Sequence, residues 1–121
     1  IKPVGYLDML MLEKNAKKIL TDSGGVQKEA YVFKVPCITL RNTTEWIETV
    51  EDGWNVLVGA NKEKIVKMAN NFEPDNKQRN VFGDGKASEK IREIIEEHQN
   101  PLYKEIKEIK KKLDEMEKKK K

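Results

Sequence analysis

Residues 21–30 read Thr-Asp-Ser-Gly-Gly-Val-Gln-Lys-Glu-Ala, and this is the segment whose residue types and spacing carry chemistry. A β-prone run, Lys18-Ile19-Leu20-Thr21-Asp22, stops at Ser23-Gly24-Gly25, and a helix is predicted from Val26 to about Phe33. A strand-to-helix passage of this kind presents unpaired backbone N–H groups at the positive end of the helix dipole. That arrangement binds phosphate, and glycine lets the anion approach the backbone closely. Ser23 adds a hydroxyl, either as a donor or as the helix cap. Glu29 follows about one and a half turns in, and helical side chains lean back toward the N-terminus. Its carboxylate is thereby placed to accept hydrogen bonds from sugar hydroxyls of a nucleotide whose phosphates rest on Ser23, Gly24 and Gly25. The plainer alternative is a glycine turn with an N-cap and a surface Glu. The segment is neither a Walker loop, lacking Gly-Lys-Ser/Thr, nor a G-x-G-x-x-G fingerprint.

Other chemically able residues carry less. His98, the one histidine, sits at the end of a predicted helix, where the dipole favours it as a solvated residue. Cys37 lies inside an apolar run and reads as a small buried hydrophobe. Glu45, Glu48, Glu51 and Asp52 cluster, but without histidine or Asp-x-Asp spacing they do not make a metal site, and none is expected. Asp84, between Gly83 and Gly85, suits a turn. Trp46 and Trp54 read as packing residues.

The elements that must position this chemistry follow from the apolar pattern. Ile1 to Gly5 reads as the end of a strand, and Leu7, Leu10, Met11 and Ala16 mark a helix. After the motif, Val35-Pro36 ends its helix. Cys37 to Arg41 is a second strand without alternation, as one covered on both faces would be. Asn42-Thr43-Thr44-Glu45 forms a loop with a helix cap before a turn at about Trp46–Val50; Gly53 ends it, and Asn55 to Gly59 is a third strand. Asn61 caps a helix through Ile65, Val66, Met68 and Ala69, and a polar loop leads to a helix from Lys86 to about His98. Strands alternating with helices predict an α/β fold with a parallel sheet and crossover helices. Three strands are too few for a complete doubly wound half, and open sheet edges invite pairing; a homo-oligomer, or a fragment needing a missing portion, is expected.

Composition narrows the function classes. The 121 residues are 37% apolar and 37% charged, with one cysteine. No run of about 18–20 apolar residues is present, so no membrane span is expected, and one cysteine cannot staple the chain internally. No signal peptide is visible, the chain does not begin with Met, and a cytoplasmic piece of something longer is expected. The net +3 is uneven: residues 99–121 hold nine Lys against five Asp/Glu, net +4, which leaves −1 for residues 1–98. The tail interleaves acids and bases in i,i+4 pairs such as Glu108–Lys112 and Asp114–Lys118, as a solvated helix would, and offers no stacking platform beyond Tyr103. Nucleic acid is not an expected partner. After Pro101, Leu102, Ile106, Ile109, Leu113 and Met116 recur at steps of 4, 3, 4 and 3, an a/d heptad seam of barely three heptads that needs a partner surface. Docking on its own body, a coiled-coil dimer or trimer, and an appended purification or crystallisation helix are all open.

Four segments in order, Pro3-Val4-Gly5-Tyr6-Leu7-Asp8, residues 21–30, Pro36 to Glu45 and Gly83-Asp84-Gly85-Lys86-Ala87, resemble the C-terminal part of the non-hydrolysing UDP-N-acetylglucosamine 2-epimerases. The resemblance covers residues 1–98 and leaves 99–121 as a charged helical tail. It implies half of a two-domain glycosyltransferase-B-like fold, a partial Rossmann-like sheet with UDP in the cleft. It also implies interconversion of UDP-GlcNAc and UDP-ManNAc by anti elimination of UDP and re-addition, with no nicotinamide or other cofactor. Transferred by position, Ser23, Gly24 and Gly25 hold the diphosphate and Glu29 the ribose hydroxyls. Gly-Gly followed by Glu also resembles related glycosyltransferases, which keeps a transferase domain as an alternative; a non-catalytic assembly module using helix 101–118 is another.

The chain departs from the family pattern at three contact positions. Trp46-Ile47 stands where Arg-Pro usually follows Thr-Thr-Glu, Met9 where an aromatic often lies near the uracil, and Val4 near the place of a Gln. The family's proton-transfer carboxylates and active-site histidine belong to an N-terminal domain, so residues 1–121 alone are expected to bind uridine nucleotides weakly, if at all, and not to turn over.

Overall fold

The computed structural model describes residues 1–120. It divides into two compact units, Ile1–Arg79 and Asn80–Lys121.

In the first unit, helix α1 (Tyr6–Asn15), strand β1 (Ile19–Thr21), helix α2 (Gly24–Val32), strand β2 (Cys37–Thr39), helix α3 (Ile47–Glu51), strand β3 (Asn55–Leu57) and helix α4 (Lys62–Asn71) follow one another. The strands form one parallel sheet in the order β1-β2-β3, with Ile19, Cys37 and Asn55 in register, then Leu20, Ile38 and Val56. This is the expected α/β architecture, a partial Rossmann-like sheet. Central β2 is buried along its whole length, as its lack of alternation predicts. Ile38 and Cys37 form the core with Ala30 and Tyr31 of α2 and with Val35 and Val58.

Local chemistry sets the ends. Ser23 caps α2, its Oγ accepting from the Val26 amide at 3.4 Å. The helix thus begins at Gly24, two residues before the predicted start: the cap outweighs the poor helix propensity of two glycines. At the other end Lys34 takes φ +58°, with its amide bonded to the Tyr31 carbonyl and the Val35 amide to that of Ala30, the paired bonds of a Schellman motif on a non-glycine residue. Residues 1–5 form no strand, contrary to the sequence expectation. Pro3 has no ladder donor, and the chain runs extended at Gly5 directly into α1. The strands are also shorter than predicted, because pairing stops after three residues.

A buried polar network joins the layers. Asn55 Nδ2 donates to Gln27 Oε1 at 3.2 Å and to Thr49 Oγ1 at 3.0 Å; Thr39 Oγ1 donates to Asn55 Oδ1 at 2.6 Å. Thr44 Oγ1 donates to Gln27 Oε1 at 2.6 Å and accepts from the Trp46 amide, pinning loop 42–46 to α2. On the other side, buried Asp52 accepts from Tyr31 Oη and from Arg79, while Trp54 Nε1 donates to the Asn76 carbonyl at 2.9 Å.

The second unit holds α5 (Ala87–Gln99) and α6 (Pro101–Lys119), joined at Asn100, which caps α6, with Pro101 in its first turn. Lys107 ties the two, 3.2 Å from Glu93 and 3.6 Å from Glu97. The heptad residues Leu102, Ile106, Ile109, Leu113 and Met116 are all exposed.

Candidate functional site

The strand–glycine–helix passage places Ser23, Gly24 and Gly25 at the carboxyl end of β1, in the first turn of α2. Ser23 accepts two helix amides, that of Val26 through its hydroxyl and that of Gln27 through its carbonyl. The amides of Gly24 and Gly25 find no hydrogen-bond partner among the described residues. Two free donors therefore project from the positive end of a nine-residue helix.

Loop 42–46 walls this end. The Trp46 indole Nε1 donates to the Gly24 carbonyl at 2.8 Å, and Lys28 lies 4.5 Å from the centre of the Trp46 ring. A Cβ on Gly24 would collide with Glu45 Oε1 and lie 3.0 Å from its Cδ, so only glycine admits that carboxylate. Arg41 Nη1 holds Glu45 at 3.0 Å. Trp46, read from the sequence as a packing residue at a ligand-contact position of the family, packs against the head of α2.

Glu29, half-buried, accepts from the Tyr6 hydroxyl at 3.3 Å through Oε1. The charge of Glu29 raises the Tyr6 phenol above its ordinary range. Glu13 on α1 is also drawn to this spot: burial first, and the Glu29 charge second, raise its carboxyl above the usual carboxylate range. Tyr6 and Glu13 were missed by sequence reasoning, although Tyr6 lies within the Pro3–Asp8 segment. Val4 and Met9 are exposed, on the segment before α1 and on α1 itself.

The remaining candidates have structural surroundings. Asp52 and Glu51 pair with Arg79 and Glu45 with Arg41, so the acidic cluster is divided between arginines, and no group of three or more His, Cys, Asp or Glu suited to a metal occurs among the described residues. Cys37 is 1% exposed and burial pushes its thiol up. His98 is exposed, its Nδ1 3.1 Å from the Ile94 carbonyl. Asp84 Oδ1 accepts from the Lys86 amide at 3.1 Å, closing the glycine turn. Among the described residues no helix is long and apolar enough to cross a membrane.

A family model described as UDP-N-acetylglucosamine 2-epimerase matches residues 1–96. A UDP-N-acetylglucosamine 2-epimerase homolog of Methanococcus maripaludis is 65% identical over 96 residues, covering 78% of this chain and 27% of its own length. A UDP-2,3-diacetamido-2,3-dideoxy-D-glucuronate 2-epimerase of Pseudomonas aeruginosa is 47% identical over 100 residues, again 78% and 27%. The structure of Methanocaldococcus jannaschii UDP-GlcNAc 2-epimerase in complex with UDP-GlcNAc and UDP superposes with a TM-score of 0.69 at 59% identity, over 78% of this chain and 26% of that one. The chain therefore spans about a quarter of the length of the relatives it matches.

Proposed function

The chain belongs to the UDP-N-acetylglucosamine 2-epimerase family, and from that premise we propose that residues 1–98 are the UDP-binding part of an epimerase interconverting UDP-GlcNAc and UDP-ManNAc. The observation that carries this reading is the pair of free amides on Gly24 and Gly25 at the head of α2, with Glu29 farther along the same helix. The amides receive the diphosphate and Glu29 the ribose hydroxyls; Ser23 keeps its hydroxyl at the same helix end.

The reaction eliminates UDP from the sugar, so negative charge grows on the departing β-phosphate. Donors fixed before the reaction and aligned with a helix dipole stabilise that charge without reorganising, the largest single contribution many active sites make. Residues 1–121 thereby assist departure of the leaving group. The acid and base that move the proton at C2 are assigned to a further N-terminal domain, and the isolated chain is inactive in turnover. Exposed Leu7, Met11 and Leu12 on α1 offer an apolar surface for such a domain. A cytoplasmic setting agrees with a lone, buried Cys37.

The exposed seam of α6 supports a second role for residues 99–121, self-assembly into a homo-oligomer. Sedimentation of the protein with and without 99–121 checks it; an unchanged mass removes the assembly role.

Calorimetric titration with UDP tests the site. Glu29→Ala is expected to weaken binding about 10-fold or more, since a hydrogen bond to a charged group contributes about 1.5–3 kcal/mol. Equal heats for both proteins would end the assignment.

A further inference from the structure

We infer that Glu13 is a positioning residue for the nucleotide's ribose: it lies buried against Glu29 as a hydrogen-bonding acid and fixes the carboxylate that meets the sugar. The inference rests on the UDP reading proposed above.

Glu13 is 3% exposed, in the last turn of α1, and both its carboxyl oxygens are shut off from water without a hydrogen bond from any donor among the described residues. A buried carboxylate in that state is costly. Tyr6 and Glu13 stand seven residues apart on one face of α1, and Tyr6 bonds Glu29 across to α2, so the Glu29 carboxylate is the neighbour that faces Glu13. Two ionised carboxylates cannot bond to one another. One proton resolves both problems. Glu13, the more buried partner, carries it and donates to Glu29, which keeps a single negative charge across the pair. Burial and the Glu29 charge, in that order, raise Glu13 above the usual carboxylate range, as this arrangement requires.

Glu29 then has two donors on the protein side, Glu13 and the Tyr6 hydroxyl at 3.3 Å. An ionised carboxylate offers about four lone-pair sites. Two are occupied, which leaves two, the number that a vicinal diol needs. Tyr6 from α1 and Glu29 from α2 are the titratable groups that face Glu13. As pH rises through the raised Glu13 value the proton leaves, two like charges confront one another, and Glu29 loses its support.

The test uses the 121-residue chain, UDP calorimetry across pH, and NMR titration of the Glu13 carboxyl carbon without ligand. Glu13→Gln replaces the O–H donor with an amide N–H, so it should keep UDP affinity within about 3-fold of the parent. It should also abolish the parent's loss of affinity toward higher pH. Glu13→Leu should weaken binding about 10-fold. In Glu29→Gln without ligand, the Glu13 midpoint should fall toward the ordinary range. Equal affinities for Glu13→Gln and Glu13→Leu, superposable pH profiles for Glu13→Gln and the parent, or an unmoved Glu13 midpoint would each overturn the inference. If Glu29→Ala binds UDP as the parent does, the nucleotide site falls and the ribose role with it. The ligand-free midpoint still decides, separately, whether the Glu13–Glu29 pair exists.

Discussion

The Glu45 carboxylate occupies the space that a Cβ on Gly24 would claim, with Arg41 holding it in place. A loop acid therefore reaches the first turn of α2 because that turn carries no side chain. The two glycines differ in this: a Cβ on Gly25 would meet nothing nearer than Ser23 Oγ at 3.8 Å.

Gly24→Ala is accordingly expected to fold. The colliding atom is the end of a flexible side chain, and the displaced pair with Arg41 is a surface salt bridge worth under about 1 kcal/mol. UDP affinity should fall about 10-fold, since the Glu45 charge loses its fixed seat with Arg41 beside the helix end that receives phosphate. An unfolding free energy from urea denaturation within about 1 kcal/mol of the parent, together with the weaker calorimetric titration, checks both halves.

Lys34 holds a left-handed conformation at the end of α2. Left-handed backbone costs a residue with a Cβ about 1–2 kcal/mol, and glycine returns part of that gain as unfolded-state entropy. Lys34→Gly should stabilise the protein by about 0.5–1 kcal/mol and Lys34→Val should destabilise it, both read from chemical denaturation.

The Tyr31–Asp52 pair sets opposite pH limits. Burial, then the hydrogen bond to Asp52, push the Tyr31 phenol up to about 12. Its contribution is complete below the unfolded value near 10 and lost as pH climbs through about 12. Asp52 is lowered, first by the bond from Tyr31 and then by Arg79's amide and side chain, against the opposing effect of burial. Its contribution is complete above the unfolded value near 3.9 and lost as pH falls through the lowered one. Tyr31→Phe should flatten the alkaline arm of a stability–pH curve and move the acid arm upward in pH.

Asn55 bonds Gln27, Thr39 and Thr49 inside the first unit. Asn55→Ala strands those partners without water and should cost at least about 2 kcal/mol. The loss appears in the urea midpoint, and loop 42–46, held to the same Gln27, should exchange its amides faster.

What the sequence disclosed was local. Ser23, two glycines and Glu29 lie within seven residues, so cap, amides and carboxylate could be read from spacing alone, as could the alternation of strand and helix. Tyr6 lies 23 residues from Glu29, and Gln27 lies 28 from Asn55. No periodicity announces such pairings, because they arise only when α1 packs against α2 and β3 joins the sheet beside β2. Ile1 to Gly5 read as the end of a strand, yet a strand needs a ladder partner, and Pro3 cannot donate to one. The start of α2 was misplaced because propensity disfavours glycine where capping settles the matter.

Cys37, the single cysteine, is sealed in the central strand at 1% exposure. A thiol-reactive dye can reach it only through moments when the sheet parts, so the chain carries its own one-site clock for opening events. Any ligand that grips the closed form should slow that clock in proportion to its occupancy, with no label to engineer and no second thiol to confuse the count.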